Sequence, residues 1–378
     1  MLLKKLAVVF SLWAIVNADP AIADLANEPD GFREIKWGDS LSKHRHELKD
    51  IWDGQRGLVE ESYVRINEDL HYSSIKLKEI RYTFYKGRFH SVFLTSSDSR
   101  DKDALLEYLR KQYGTGAPVD VTNQYTKRKT IRKWQGKQVM IQFLYTPKTG
   151  YSNVLIEYDG VIKEDAPASF RGLEWFSLDG HPAVGKIGIW YDKKTSTILN
   201  RPGKGDFPSM EVLKTRIDAR TKDEYIIEYS GGPSFDPSYT VSMITRNGNK
   251  PIGSFAGMMV YVPGNGDIYV SNRANSMFEE RKKFHLVGDK LETVKQPFFY
   301  VGIKTKANRQ FTIYSAPDSK SPVAVLPSGT EIEVLLADKE SYLIKTPFGL
   351  VGWYTPDQGY NLHNRLDSPI TEIFFAGD

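Results

Sequence analysis

Turn residues cut the stretch from Thr305 to Pro356 about every eight to twelve positions. No helix of ordinary length fits between such breaks, so this part of the chain has to fold from short strands. Phe311, Ile313 and Tyr314 run into Ser315-Ala316-Pro317-Asp318. Val323, Val325 and Leu326 run into Pro327-Ser328-Gly329. Ile332, Val334 and Leu336 then alternate with Glu331, Glu333 and Leu335, the two-residue period of a strand with one buried face. Tyr342-Leu343-Ile344, the turn Pro347-Phe348-Gly349 and the run Leu350-Val351-Gly352-Trp353-Tyr354 complete the series. A small five-stranded barrel or sandwich is the expected result.

The order of these signals resembles the bacterial SH3 (SH3b) domain family. That family places a Pro after its first strand, Leu-x-x-Gly before an alternating strand, then an aromatic strand and a closing Gly-x-x-Gly-Trp. Here the positions are Pro317, Leu326-Pro327-Ser328-Gly329, Glu331 to Leu335, Tyr342 to Lys345 and Gly349-Leu350-Val351-Gly352-Trp353. The departure is Tyr342, where the family more often carries Trp. The resemblance covers about a sixth of the chain. It implies an SH3-like barrel that recognises peptidoglycan or an envelope protein, and it supplies no fixed binding motif. The aromatic candidates for such a surface are Tyr314, Tyr342, Trp353 and Tyr354. Core packing is the competing reading for each, and it is the favoured one for Trp353.

The other end of the chain has the layout of a secretory signal. Lys4 and Lys5 precede an apolar run from Leu6 to Val16, and Ala21-Ile22-Ala23 forms a small-x-small cleavage site before Asp24. The run is shorter than the ~20 apolar residues of a membrane span. Residues 1–23 are therefore expected to be removed, leaving no transmembrane segment and a periplasmic or secreted protein. The chain has no cysteine, which rules out lipid attachment through an N-terminal Cys, disulfides, thiol nucleophiles and Cys-based zinc sites.

About 355 residues would remain, enough for two or three domains. The formal net charge of +4 falls by one unit when Lys4, Lys5 and Asp19 leave together. So small an excess argues against a nucleic-acid binder. The expected class is multidomain and mainly β: an α+β domain over 24–160, a β-rich domain over 161–300, the barrel over 301–360 and a tail over 361–378. In the first domain, Leu41 to Ile51 and Lys102 to Tyr113 read as helices among strands, with Ser99 or Asp101 capping the second and Gly114 stopping it. In the middle domain the expected strands are Ile187 to Tyr191, Ser196 to Leu199, Tyr225 to Tyr229, Tyr239 to Thr245, Gly257 to Val262 and Asp267 to Ser271, followed by a hairpin across Gly288-Asp289. Arg246-Asn247-Gly248-Asn249 reads as a hairpin turn. Phe170-Arg171-Gly172-Leu173-Glu174-Trp175 echoes Phe32-Arg33-Glu34-Ile35-Lys36-Trp37, as a second opening strand would.

Chemical motifs are sparse. His44 and His46 point about 200° apart on a helix, so solvent-facing side chains are expected rather than a metal site. The basic run Lys127 to Lys133 divides between the faces of a strand. A solvated face is the first reading, and a basic surface built on Arg128, Arg132 and Lys133 for an anionic glycan or phospholipid is the second. Arg201 to Asp206 lacks the order of a phosphate loop, and Pro263 to Asp267 lacks calcium-ligand spacing. Neither Gly-x-Ser-x-Gly nor His-Glu-x-x-His occurs, and no motif calls for a cofactor or a metal. The leading expectation is a non-catalytic envelope binding or adaptor protein. The alternative is a cell-wall hydrolase using a carboxylate pair drawn from Glu60, Glu61, Glu174, Glu228 and Asp236, targeted by the barrel. A chaperone-like partner of another exported protein is a third, to be signalled by exposed apolar patches.

Overall fold

The computed structural model describes residues 25–51, 60–96, 98–122, 129–178, 187–203, 209–231, 237–272, 278–356 and 368–373. The expected signal, residues 1–23, lies outside them. The chain is mainly β and divides into two compact units, with the division between Val161 and Ile162.

The first unit opens with a short hairpin, β1 (Gly31–Phe32) and β2 (Ile35–Lys36), and a single helical turn, α1 (Leu41–His44). There follow β3 (Leu48–Asp50), β4 (Glu60–Arg65), β5 (His71–Tyr72), β6 (Ile75–Tyr85) and β7 (Arg88–Ser96). The helix α2 (Lys102–Tyr113) separates these from β8 (Ala117–Thr122), β9 (Lys129–Gln135), β10 (Val139–Tyr145) and β11 (Ser152–Tyr158). Hydrogen bonding orders the sheet β3-β4-β6-β7-β11-β10-β9-β8, with β5 added on β6. Long β6 shows why it is a strand: Ile75, Leu77, Ile80, Tyr82 and Phe84 are buried, while Lys76 and Lys78 are exposed. Lys86 and Gly87 turn into β7 with φ of 47° and 72°, the left-handed pair that a tight hairpin needs. Leu105 and Leu109, one turn apart on α2, complete the core with Trp134, Ile141 and Phe143.

Two details depart from the sequence reading. The helix expected from Leu41 to Ile51 stops at His44, and Leu48 instead pairs with Arg65 as the start of β3. Burial of Leu48 against the sheet outweighs a helix continuation. Asp101 is the N-cap position of α2, as expected, but its side chain makes no cap bond to the helix. Asp98 forms a reciprocal capping box with Asp101 around a 3-10 turn, Ser99–Asp101, that leads into the helix.

After α3 (Gly160–Asp165), the second unit contains β12 (Glu174–Leu178), β13 (Ile187–Tyr191), β14 (Ser196–Pro202), β15 (Ser209–Thr215), β16 (Tyr225–Gly231) and β17 (Pro237–Thr245). Next come β18 (Gly248–Ala256), β19 (Met259–Val262), β20 (Asp267–Asn272), β21 (Glu280–Val287) and β22 (Lys290–Thr293). Strands β14 to β18 form a five-stranded meander, and β12-β13-β19-β20-β21-β22 form a six-stranded sheet in which β13 and β19 run parallel. Val212, Ile227, Tyr239 and Val241 of one sheet share a core with Ile189, Val260, Ile268 and Val270 of the other. Strands β12, β15 and β18 add to those expected. The Asn-Gly hairpin closes one residue early, with Thr245 paired to Gly248 and Gly248 at φ 111°. The echoed Phe-Arg motif does not repeat a structure: Phe32 lies in a hairpin, whereas Phe170 ends a 3-10 turn, Ala168–Phe170.

The chain then forms β23 (Phe299–Lys306), β24 (Phe311–Tyr314), β25 (Pro322–Leu326), β26 (Glu331–Asp338), β27 (Ser341–Lys345) and β28 (Val351–Tyr354). Their order is β23-β26-β27-β28-β24-β25. Five of the six match the expected short strands. The sixth, β23, crosses the expected boundary at residue 300 and hydrogen-bonds to β26. The core of this sheet is Val301, Phe311, Ile313, Ile332, Val334, Ala337, Ile344 and Tyr354. Gly329 and Gly349 hold φ of 82° and 93° in the turns before β26 and β28, which is why glycine occupies both places.

Candidate binding face on the C-terminal sheet

Alternation along each strand separates a core face from an outward face. On β28, Gly352 and Tyr354 are buried, and Val351 and Trp353 lie on the opposite side. On β27, Ile344 is core, and Leu343 and Lys345 are turned away from it. A bulge in β26 between Val334 and Leu336 keeps Val334 and Ala337 inside and sets Glu333 and Leu336 outside.

Register then assembles one row across five strands. Tyr300 pairs with Leu336, Leu336 with Leu343, Leu343 with Trp353, and Trp353 with Tyr314. Directly opposed residues bring their Cβ atoms to about 5 Å, so these side chains form one apolar band. Tyr300 is 62% exposed, and the band is extended by Phe298, 41% exposed, whose ring lies 6.0 Å from that of Trp353. A second outward row runs alongside: Lys304 pairs with Glu333, Glu333 with Lys345, and Lys345 with Val351. Lys345 Nζ donates to Glu333 Oε2 at 3.2 Å. Beside this row is a groove of about 430 Å³, lined by Lys304, Lys306, Lys345, Glu331 and Glu333 above Ile332 and Thr346.

The four aromatic candidates thus separate into pairs. Tyr314 and Trp353 meet on the outward face. Tyr342 and Tyr354 are paired with each other on the inward face. Tyr354 packs edge-on against Phe311 with centroids 5.0 Å apart and is a core residue. Tyr342 is half-buried, 6.5 Å from the ring of Phe278, and burial pushes its hydroxyl pKa up, with Glu280 and Glu340 adding to the effect. Core packing, favoured from sequence for Trp353, belongs to its neighbour instead. Tyr300, Phe298, Leu336 and Leu343 are not among the candidates for such a surface that the sequence offers. The signal that finds them is the two-residue period once the register is known.

The basic run behaves differently from a surface patch. Arg128 lies outside the described residues. Arg132 sits on β9, which is paired on both edges, and its Nη1 donates to the carbonyls of Thr115 at 2.9 Å and Gly116 at 2.8 Å. Trp134, next on the same face, donates to Gly114 O at 2.7 Å. Both side chains bind carbonyls of the Gly114-Thr115-Gly116 loop that follows α2. Burial of Arg132, with Arg110 nearby, lowers its pKa from the usual guanidinium value. Arg132 is half-buried, and its guanidinium is held by those two carbonyls. Lys133 is half-buried and has contacts of its own.

His44 also differs from expectation. It is buried, with Nδ1 2.7 Å from Glu47 Oε1 and Nε2 3.0 Å from Asp39 Oδ2, whereas His46 is exposed. Burial of Asp39 and Glu47 works to raise their pKa values. Bonds from His44 to both, from Lys43 to Asp39 and from Arg65 to Glu47 outweigh it and hold both carboxyls below the usual range. Among the described residues no cluster of His, Asp and Glu could hold a metal ion, and no helix is long and apolar enough to cross a membrane.

Of the carboxylates named for catalysis, Asp236 lies outside the described residues. Glu60 and Glu61 are half-buried on β4, and Glu174 pairs with Lys193 at 3.1 Å. Glu228 is directly opposite Glu211 on neighbouring strands. Glu211 is buried and bonded to Arg201, while Glu228 accepts from Ser209 Oγ. Arg201 offsets the repulsion between the two opposed carboxylates, and the Ser209 hydroxyl gives Glu228 a hydrogen bond. Comparison of the chain with protein-family models, curated proteins and solved structures finds no match.

Proposed function

We propose that this protein is a non-catalytic, exported cell-envelope binding or adaptor protein whose C-terminal SH3b-like barrel contacts peptidoglycan or a wall-associated protein. The observation that carries the reading is the outward band Tyr300-Leu336-Leu343-Trp353-Tyr314, with Phe298 beside it. Six of the nine large exposed hydrophobic residues of the described chain, Phe298, Tyr300, Val325, Phe348, Leu350 and Val351, fall in this last part. Exposed apolar side chains concentrated in this part of the chain, with Phe298 and Tyr300 at the band itself, support a binding role. The meander β26-β27-β28, joined through β28 to β24, supports the SH3b likeness. Export rests on the layout of residues 1–23.

The test is co-sedimentation of the mature protein with purified sacculi, comparing the wild type with full-length Trp353→Ala and Tyr314→Ala. Pelleting that falls several-fold in both variants, while each keeps its thermal midpoint, supports the reading. A wild type that stays in the supernatant at low and moderate salt removes wall binding as the primary role. The hydrolase alternative is favoured only by the opposition of Glu211 and Glu228. Release of labelled fragments from sacculi by the wild type, lost in Glu228→Gln, would establish it instead.

A further inference from the structure

The outward face of the C-terminal sheet carries two different kinds of row side by side. Along β27, Leu343 belongs to the apolar row and Lys345 to the charged one; along β28, Trp353 and Val351 are placed the same way. Residues two apart on a strand stand about 7 Å apart. A ligand lying across the strands therefore meets a flat aromatic surface and, about 7 Å away, a groove with ammonium groups.

The groove has a charge imbalance. Its ionisable lining is Lys304, Lys306 and Lys345 against Glu331 and Glu333. Lys306 faces Glu331 at 3.8 Å. Glu333 lies in register between Lys304 and Lys345 and accepts from Lys345. The surplus is a single positive charge. Lys304, Lys306 and Lys345 are exposed, and exposed ion pairs are weak, so an incoming anion can compete for them. The strand that brings Lys304 and Lys306 is β23, which lies outside the five strands read as the SH3b-like barrel.

We infer that this face binds an acidic glycan: a sugar ring rests its CH-rich side on Trp353 and Tyr314, and a carboxylate carried by the same or the next sugar is held in the groove by Lys304 and Lys345. The inference rests on the wall-binding reading above and specifies the ligand chemistry for the same face. The aromatic rings supply apolar contact without charge preference. The lysines supply the preference for an acidic over a neutral saccharide.

The experiment titrates the full-length mature protein with two soluble probes of equal length. One is a neutral N-acetylglucosamine oligomer. The other is a glycan in which N-acetylglucosamine alternates with N-acetylmuramic acid, which carries a carboxylate. The acidic probe is expected to bind about three- to fivefold tighter, as one exposed ion pair allows, with the margin shrinking as salt rises. The double variant Lys304→Ala/Lys345→Ala should bind both probes with the affinity of the neutral one, and Trp353→Ala should weaken both. Equal binding of the two probes by the wild type, or a preference that survives loss of both lysines, overturns the inference. If sacculi still pellet in a Trp353-dependent manner in that case, the binding face stands and only the carboxylate assignment is lost. If neither probe binds while sacculi pellet, the ligand is peptide or protein rather than glycan, and the inference is overturned as well.

Discussion

Trp353 and Tyr354 are adjacent on β28, yet Tyr354 faces Phe311 in the core while Trp353 pairs across the sheet with Tyr314 on the outer side. Substitution should separate the two roles. Tyr354→Ala removes a buried ring and is expected to cost on the order of 3 kcal/mol in stability. Trp353→Ala should cost less than about 1.5 kcal/mol, because a half-buried ring loses only part of its burial, and should act chiefly on pelleting with sacculi. Urea denaturation of both variants checks this, and equal losses would mean that Trp353 is also a core residue.

Arg132 should matter for stability and not for anion binding. Its bonds to Thr115 O and Gly116 O tie β9 to the loop that follows α2. Arg132→Ala leaves those carbonyls without the guanidinium, at an expected cost of about 2 kcal/mol. Binding to anionic vesicles should be unchanged. A stable variant with weakened vesicle binding would restore the basic-surface reading.

Glu28 closes a different part of the same unit. Its carboxylate accepts from three successive backbone amides, Lys137 at 3.0 Å, Gln138 at 2.6 Å and Val139 at 2.7 Å, where the β9–β10 hairpin turns. Glu28→Ala should destabilise the unit by about 1 kcal/mol, since the site is open to water. Faster hydrogen exchange at those three amides is the direct readout, and unchanged exchange would show that the contact contributes nothing.

The cap of α2 predicts an acid response. Bonds from the Arg100 side chain and backbone hold the Asp98 carboxyl down to about 2. A carboxyl depressed in the folded state contributes stability above its unfolded value of about 3.9. That contribution is lost as pH falls from there through about 2. An NMR titration of Asp98 should find its midpoint well below 3.9 in the wild type and nearer to it in Arg100→Ala. An ordinary midpoint in the wild type would mean that the pair does not form in solution.

What sequence made legible was local. The turns at Gly87, Gly288 and Gly329 announce themselves because glycine suits positive φ, and the strands between such turns follow. Strand β18 escaped notice because Pro251 and Gly253 interrupt its pattern; it is an end strand, where a missing N–H is tolerated. The helix expected through Ile51 failed for a non-local reason, the pairing of Leu48 with Arg65. The outward face of the last sheet shows the limit most clearly. A two-residue period says that Trp353 and Tyr354 face opposite ways, but only the packing of Phe311 and the register with β24 say which way is in. Arg132 is similar, for nothing in the basic run reveals the carbonyls that await it.

Strand β23 reaches the last sheet from the chain before it and covers the edge of β26. Evolutionary shuffling or laboratory grafting that borrowed only residues after Lys306 would therefore carry off a sheet with a raw edge and without Tyr300, Lys304 and Lys306. The transferable segment begins before Phe299, and what looks like a spacer between two folds is part of what travels.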